Sequence, residues 1–213
     1  MTLETAGAAL GDARVAAVLV HGRDQDPGYM REHLVAPLAR PDVAYLLPAA
    51  PGRTWYAGRF NAPVAELEPA LSAALATIVD AVAQAVAGAD AAVLVGFSQG
   101  ACLVTEFLAR NGRSGLAGAA ILTGAWIGAR GRDDDPRPFP QSLAGLPVAL
   151  VSSETDAWVA PAFVRATAAD LEHAGADVRL EITDDPEHRI DGIAVAAVAE
   201  LLAVVSQPSG HKV

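Results

Sequence analysis

The stretch "AAVLVGFSQGACLV", residues 91–104, changes its character at its centre. Its first half is apolar throughout and predicts a buried strand, whereas the residues from Gln99 onward predict a helix. Gly96 and Gly100 stand two positions before and after Ser98. Because small residues let a strand and a helix meet closely, "GFSQG" fits the G-x-S-x-G turn that presents a nucleophilic serine. A Gly-rich turn with Ser98 as a helix cap would give the same five letters, so the partners of this serine decide between them.

The same alternation of strand and helix continues on both sides of this turn. Apolar runs of strand length, bounded by Gly, Pro or Asp, alternate with segments of helical period. Most runs are apolar throughout, which is typical of a parallel sheet covered on both faces. We therefore predict a doubly wound, mostly parallel α/β sheet of about six strands, with no insertion large enough for a cap domain. The predicted strands are 15–20, 43–47, 91–96, 118–123, 147–152 and 178–182, and the predicted helices are 28–39, 68–87, 99–110, 161–174 and 191–205.

The length and composition are those of an ordinary globular domain. The chain has 213 residues, of which 52% are hydrophobic and 19% are charged, so a single core is expected and disorder is not. We predict one domain over residues 1–213, with a loose tail from about residue 206.

Charge and cysteine content exclude several classes of partner. A formal net charge of -10, with no run of Lys or Arg, leaves no basic surface for nucleic acid or for stable association with a membrane. The longest apolar stretch, residues 70–95, is interrupted by polar residues and glycine, and the N-terminus lacks the pattern of a secretory signal. Cys102 is the only cysteine, which excludes an internal disulfide and a cysteine metal cluster. We therefore expect a cytoplasmic protein.

The predicted nucleophile needs a base that removes its proton, and the base needs an acid that fixes its tautomer. Three histidines follow Ser98 in the chain. His173 lies inside a predicted helix and His211 lies two residues from the last residue, whereas His188 follows the last predicted strand on a loop. We therefore predict that His188 is the base.

The acid is predicted at the end of the fifth strand. Asp156, in "SSETDAWVAP", gives the order Ser, Asp, His and lies at the sheet edge where the serine is expected. Glu154 is the nearest competitor. Asp184 and Asp185 are close to His188 in the sequence, but they would have to fold back, and a solvated turn explains them better.

Acyl transfer also needs two amide donors for the oxyanion of the tetrahedral intermediate. One is predicted to be the backbone N–H of Gln99, directly after the nucleophile, and the other the backbone N–H of Arg23, in the loop after the first predicted strand. His21 opens that loop. We assign it a structural role, as a partner of the loop backbone, because His188 is the better base.

Five segments together resemble a known family. They are "VLVHGRDQD", "AAPGRTWYAGRFNAP", "LVGFSQGACLVTEFLAR", "SETDAWVAP" and "EHRI". The sequence is similar to the phospholipase/carboxylesterase family of α/β-hydrolases, the group related to acyl-protein thioesterases, over about residues 15–205. The resemblance implies an α/β-hydrolase fold, a triad of Ser98, Asp156 and His188, and oxyanion donors at Arg23 and Gln99. It also implies hydrolysis of carboxylic esters or thioesters without a metal or an organic cofactor.

The sequence departs from the family pattern at three positions. The family's oxyanion loop usually has a glycine directly after the position of Arg23, where this chain has Asp24. The histidine is usually preceded by glycine and here follows Glu187, and the proline that closes the acid loop comes one residue late, at Pro161. A carboxylate near the oxyanion would oppose the developing charge, so we expect Asp24 to point outward.

Aromatic residues on the strand-end loops predict an apolar wall around the nucleophile. Each ring could instead anchor its own loop. Trp55 and Trp158 are the preferred substrate contacts. The full set of predicted substrate-binding residues is Trp55, Tyr56, Phe60, Trp126 and Trp158.

Three arginines are expected on the same edge of the sheet. Arg23, Arg53 and Arg59 would either meet an acidic substrate or, as such residues more often do, pair locally with Asp24 or Asp26.

Two further features lie near the predicted site. Cys102 follows the serine by one helical turn and is expected to pack as a small hydrophobic residue. Residues 126–142, which include "RGRDDDPRP", could form a mobile flap.

Together these residues predict a carboxylesterase-type serine hydrolase that acts on small to medium acyl substrates through an acyl-enzyme on Ser98. The expected partner is a small-molecule ester, and the sequence does not decide between a monomer and a homodimer. An acyltransferase or a cyclase would use the same triad with an acceptor other than water, and a lactonase or a C–C-bond hydrolase would vary the substrate. A non-catalytic receptor on the same fold is disfavoured, because binding alone does not require a serine, an acid and a histidine on three strand ends.

Overall fold

A seven-stranded sheet lies at the centre of the computed structural model, which describes residues 2–128, 139 and 143–207. Its strands are β1 (Leu3–Gly7), β2 (Val15–Val20), β3 (Ala44–Pro48), β4 (Ala91–Phe97), β5 (Gly118–Leu122), β6 (Pro147–Ser153) and β7 (Asp177–Thr183). Their order across the sheet is β1-β3-β2-β4-β5-β6-β7, and every neighbouring pair is parallel except β1 with β3. The winding reverses between β2 and β4, and ligands of such sheets bind outside the carboxyl ends of the strands at this point.

Helices cover both faces of the sheet. They are α1 (Pro27–Met30), α2 (Ala36–Leu38), α3 (Val64–Leu67), α4 (Ala70–Gly88), α5 (Gln99–Asn111), α6 (Pro161–His173) and α7 (Gly192–Val205). A π-helical turn at Arg31–Val35 joins α1 to α2, and a short 3-10 turn covers Pro51–Arg53. Residues of α4, α5 and α6 form the core on one face, and residues of α1, α2 and α7 help to form the core on the other.

The strand β2 shows why the central strands are apolar at every position. Its even-numbered residues belong to the core with α4 and α5, and its odd-numbered residues belong to the core with α7. Because successive side chains of a strand point to opposite faces, a sheet covered on both faces buries all of them. The six residues of β2 are accordingly all buried.

The doubly wound, mostly parallel fold predicted from the sequence is confirmed. All six predicted strands are present, with ends that differ by no more than two residues. Four of the five predicted helices are also present as single helices, whereas the predicted helix 28–39 is divided into α1, the π-helical turn and α2. The short helix α3 and the strand β1 are additions to the prediction. The sequence of β1, "LETAG", offers one large apolar residue and stays partly exposed, and its pairing with β3, from Leu3 opposite Pro48 to Gly7 opposite Ala44, defines it as a strand.

The helix α4 is long and apolar enough to cross a membrane by length and composition, with a mean hydropathy of 1.7. Its apolar side is used inside the protein, because Leu71, Leu75, Ile78 and Val82 are buried in the core beneath it. We therefore describe α4 as a helix that covers the sheet.

In the described part of the chain, no inserted domain covers the carboxyl edge of the sheet. Most of the segment 126–142, for which a flap is predicted, lies outside the described residues, and so does most of the predicted tail. Of the segment 126–142, only Trp126–Gly128 and Phe139 are described, and Trp126–Gly128 are buried.

Candidate active site

The turn between β4 and α5 holds Ser98 in an unusual backbone conformation. Its φ of 52° lies in the left-handed region, with ψ at -117°. A non-glycine residue there is strained, and such strain is found at sites where the surrounding structure enforces it. The enforcement comes from close packing: a Cβ at Gly100 would overlap the carbonyl oxygen of Val20, and one at Gly96 would overlap the backbone of Gly100.

Three side chains from three strand ends form a hydrogen-bonded chain at this turn. The hydroxyl of Ser98 lies 2.7 Å from Nε2 of His188, and Nδ1 of His188 lies 2.7 Å from Oδ2 of Asp156. An ionised carboxylate only accepts hydrogen bonds, so Nδ1 carries the proton and Nε2 is free to accept from the serine. The structure thus brings together the three residues that the sequence predicts as a triad.

The carboxylate of Asp156 is buried and fully engaged. Its second oxygen, Oδ1, accepts hydrogen bonds from the backbone N–H groups of Trp158 (2.7 Å) and Val159 (2.9 Å). Burial acts to raise the pKa of Asp156, but the bonds from His188, Val159 and Trp158 outweigh it and hold the pKa below its usual value. Asp156 is therefore an anion that fixes the orientation of the imidazole.

The other acids considered for this role have different partners. Glu154 forms an ion pair with Arg165 at the surface. Asp185 accepts from the backbone N–H of Glu187 and binds Arg189 at 2.9 Å. None of these carboxylates is recorded in contact with the imidazole that bonds to the serine.

The loop after β2 lies beside Ser98 and holds His21 in a buried position. The two ring nitrogens of His21 are both used: Nδ1–H donates to the carbonyl oxygen of Gly22 (2.7 Å), and Nε2 accepts from the N–H of Ala50 (3.1 Å). Burial lowers the pKa of His21, in agreement with a neutral ring. This geometry fits the structural role predicted for it.

Asp24 has the backbone conformation that a glycine would adopt easily, with φ at 58°. Asp is one of the residues that tolerate this region, which explains how the chain can depart from the family's glycine. Its side chain accepts a hydrogen bond from the hydroxyl of Thr54 at 3.0 Å and is exposed. The carboxylate is therefore held toward Thr54.

The two predicted oxyanion donors come from the turn after β4 and from the loop after its neighbour, β2. Gln99 is the first residue of α5, so its N–H lacks an intrahelical acceptor, and Arg23 follows β2, the neighbour of β4. Within residues 2–128, 139 and 143–207, neither N–H donates to another protein group. Both are therefore free to bind an oxyanion.

The side chain of Gln99 is buried and ties this donor to the loop after β3. Its Oε1 accepts from the N–H of Trp55 (3.0 Å), and its Nε2 donates to the carbonyl oxygen of Tyr56 (2.8 Å). Arg23 reaches the same loop, because its guanidinium donates to the carbonyl oxygen of Gly58. The loop after β3 therefore contacts the side chains of both predicted oxyanion donors.

A cavity of about 620 Å³ opens above Ser98 and His188. A volume of this size suits a small or medium ligand. Burial raises the pKa of Cys102, at the cavity wall, to about 11, so its thiol stays neutral. The apolar wall consists of Tyr56, Phe60, Phe97, Cys102, Trp158 and Val159, and the charged rim consists of Arg23, Asp24 and Arg59.

Two of the five aromatic residues predicted to bind substrate are placed elsewhere. Trp55 is buried and its indole N–H donates to the carbonyl oxygen of His21 at 2.8 Å. Trp126 is also buried and donates to Oε2 of Glu106 at 2.9 Å. A buried indole needs an acceptor for its N–H, and each of these rings has found one inside the protein. Neither lines the cavity, so we correct their assignment: both anchor loops.

A sequence model of the alpha/beta hydrolase family matches residues 17–209 of the chain. The chain belongs to the alpha/beta hydrolase family. No curated protein matches its sequence.

Solved structures resemble this α/β-hydrolase over nearly its whole length. A phospholipase/carboxylesterase from Dyadobacter fermentans is 29% identical, with a TM-score of 0.80, over 94% of this chain and 95% of that one. A carboxylesterase from Mesorhizobium loti is 23% identical, with a TM-score of 0.69, over 91% and 90% of the two chains. Acyl-protein thioesterase 2 from Zea mays is 17% identical, with a TM-score of 0.76, over 97% and 99%.

Several polar contacts of the hydrolase are not apparent from its sequence. Gln25 accepts the N–H of Gly22 through Oε1 at 3.0 Å and so shapes the oxyanion loop. For Gln99, the sequence predicts a role for the backbone N–H but none for the side chain. The polarity of both residues is the only signal in the sequence, and it does not identify a partner 44 positions away.

Among the described residues of the hydrolase, no group of three or more His, Cys, Asp and Glu side chains is placed to hold a metal ion.

Proposed function

We propose that this protein is a serine hydrolase that cleaves carboxylic esters or thioesters of small to medium acyl groups through an acyl-enzyme on Ser98. The observation that carries the proposal is the chain of two 2.7 Å contacts from Ser98 through His188 to Asp156. Ser98 and His188 line an open cavity, in which a substrate carbonyl can reach the Ser98 hydroxyl.

Acylation uses the imidazole as a base. Nε2 of His188 takes the hydroxyl proton while Oγ of Ser98 attacks the carbonyl carbon, and the carbonyl electron pair moves to oxygen. The backbone N–H groups of Arg23 and Gln99 would bind that oxyanion. His188 then gives its proton to the leaving alcohol or thiol, and the carbon–oxygen or carbon–sulfur bond breaks.

Deacylation repeats these steps with water. His188 removes a proton from the water, the hydroxide oxygen attacks the acyl carbon, and the proton returns to Oγ of Ser98 as the acid leaves. Asp156 stays ionised throughout and stabilises the imidazolium that forms twice in each cycle. The bonds from Trp158 and Val159 keep its carboxylate in place.

The structural relatives support the same reaction class. They include proteins described as a phospholipase/carboxylesterase, carboxylesterases and an acyl-protein thioesterase. Oxygen esters and thioesters differ in the leaving atom, but the serine attacks the carbonyl carbon of both and the imidazole transfers the proton in the same way. We therefore assign the chain to the carboxylesterase type of serine hydrolase. We also place it in the cytoplasm, an assignment supported by its single cysteine.

A fluorophosphonate probe tests the proposal directly, because it reacts with an activated serine. The wild-type protein should be labelled, and Ser98→Ala should lose both labelling and p-nitrophenyl esterase activity, by about 10³-fold or more. Ser72→Ala, an exposed serine on α4, is the control and should behave like the wild type. Labelling that persists in Ser98→Ala would place the nucleophile elsewhere.

Product analysis separates hydrolysis from transfer to another acceptor. With water as the acceptor, each ester consumed yields one equivalent of free acid and one of alcohol. A cyclised or transferred acyl product in place of the free acid would make the protein a cyclase or an acyltransferase with the same triad.

A further inference from the structure

Arg59 is the one arginine in residues 2–128, 139 and 143–207 whose guanidinium has no protein partner. The other arginines in these ranges form an ion pair with a carboxylate or donate to a backbone carbonyl. On the same edge of the sheet, Arg53 lies 3.4 Å from Asp26, and Arg23 donates to the carbonyl oxygen of Gly58. Arg59, the arginine without a protein partner, lines the cavity above Ser98.

The charge of the cavity rim is opposite to that of the chain as a whole. Among the described residues, the charged side chains at the rim are two guanidinium groups, of Arg23 and Arg59, and one carboxylate, of Asp24. Arg23 is bonded to a neutral carbonyl, so its charge is not cancelled. The Asp24 carboxylate is bonded to the hydroxyl of Thr54. Although the chain as a whole has a net charge of -10, the described part of its cavity rim carries a net positive charge.

We propose that Arg59 binds an oxyanion group of the substrate, a carboxylate or a phosphate, and that this hydrolase prefers esters that carry such a group. The inference rests on the proposed function and names its substrate class. A guanidinium offers paired N–H donors whose spacing matches the oxygens of a carboxylate or phosphate. The cavity wall beside it is aromatic and apolar, so a substrate with an apolar centre and a charged end fits both surfaces.

The expected preference is modest because Arg59 is exposed. Exposed ion pairs are weak, so we expect a charged ester to exceed its neutral analogue by about fivefold in kcat/KM. The gain should appear mainly in KM, because the contact is equally present in the ground state and the transition state. It should shrink as salt is added, since exposed charges are screened.

Two matched pairs of esters locate the charge on either side of the scissile bond. The alcohol-side pair is 4-acetoxybenzoate and 4-acetoxybenzamide. The acyl-side pair is the p-nitrophenyl half-ester of glutaric acid and its terminal amide. In at least one pair the charged ester should be preferred, and 4-acetoxyphenyl phosphate then shows whether phosphate replaces carboxylate in the alcohol part.

Arg59→Gln should remove the preference and leave the neutral esters unchanged. Arg53→Gln, which removes an equal charge from an arginine that pairs with Asp26 on the same edge, is the matched control and should retain the preference. Equal turnover of charged and neutral esters in both pairs, or an unchanged preference in Arg59→Gln, would overturn the inference. If the neutral esters are still cleaved in a Ser98-dependent manner, the proposed function stands even though the inference about Arg59 fails.

A binding measurement does not depend on turnover. In Ser98→Ala, calorimetric titration with the preferred charged ester should give about fivefold weaker binding when Arg59→Gln is added. The neutral ester should bind equally to both variants. If neither ester is cleaved by the wild type and the Ser98→Ala variant binds both equally, the proposed function and the anion site fail together.

Discussion

The side chain of Gln99 binds the backbone N–H of Trp55, a residue 44 positions earlier, at 3.0 Å. The same side chain holds the carbonyl oxygen of Tyr56 at 2.8 Å. The side chain of Gln99 therefore fixes the cavity loop to the turn, and in the proposed reaction its own N–H would bind the oxyanion. A change in this side chain should be felt in the reaction as well as in the fold.

Gln99→Ala should lower both stability and kcat. It leaves the N–H of Trp55 and the carbonyl of Tyr56 buried without partners, which costs about 1–3 kcal/mol. Movement of the oxyanion donor should lower kcat by about 10- to 100-fold with a smaller change in KM. Steady-state kinetics and thermal unfolding measure the two effects. Gln84→Ala, on the exposed side of α4, is the control, and a stability loss with unchanged kcat would make Gln99 purely structural.

Asp156→Asn should preserve the fold and remove most of the activity. The amide cannot hold Nδ1–H of His188 as an anion does, so kcat should fall by about 10³- to 10⁴-fold. Glu154→Gln alters the nearest competing acid, which pairs with Arg165, and should keep nearly full kcat. The reverse result would exchange the roles of these two acids.

The acid limb of the pH–rate profile should show the loss of one proton. Asp156 is already ionised because its pKa lies below the usual value, so it should add no second proton to the acid limb. The sign for stability is the same: Asp156 contributes above its unfolded pKa of about 3.9, and the contribution is lost as the pH falls through the lower folded value. A slope of two in log kcat/KM against pH would contradict a permanently ionised Asp156.

Cys102 should not react with thiol reagents in the folded protein. Burial raises its pKa to about 11, so near pH 8 only about one thiol in a thousand is ionised, and the thiolate is the reactive form. Iodoacetamide should leave the activity unchanged, and the same treatment in denaturant should alkylate one thiol per chain. Rapid inactivation of the native enzyme would show that the cavity wall opens.

Gly100→Ala should be far more damaging than an alanine at an unobstructed glycine. The new Cβ would overlap the carbonyl oxygen of Val20, and neither backbone can move without disturbing β2 or the turn at Ser98. We expect a loss of about 3 kcal/mol or more in the free energy of unfolding. Gly192→Ala is the matched control, because a Cβ there meets nothing within 4 Å. Equal unfolding temperatures for the two variants would contradict this account of the turn.

The sequence predicts those parts of the molecule whose physics is local or ordered along the chain. The central strands are recognisable because two covered faces make every position apolar, as in β2. Ser98, Asp156 and His188 can be predicted because parallel strands bring their carboxyl ends to one edge, so residues that follow three strands meet there.

The aromatic residues show where this reasoning stops. Trp55 and Trp158 both lie on loops at the carboxyl edge, and the sequence gives them the same expectation. One indole found a buried acceptor in the carbonyl of His21, whereas the other stays 68% exposed beside the cavity. That difference depends on which acceptors lie within reach, which a linear pattern does not contain. The unpaired guanidinium of Arg59 and the pairing of β1 with β3 also depend on which groups are neighbours in the folded protein, so the sequence does not predict them.

The hydrogen bonds that hold the cavity loop have a consequence for how the substrate preference of this site can evolve. Gln99 and Arg23 hold the loop by main-chain atoms, at Trp55, Tyr56 and Gly58, so neither tether depends on which side chains the loop displays. If Arg59 binds the substrate as proposed, substitutions at such positions would alter which esters are preferred without disturbing these two contacts. Selection for new substrates, in nature or in the laboratory, has a short segment in which to vary at little risk to the reaction.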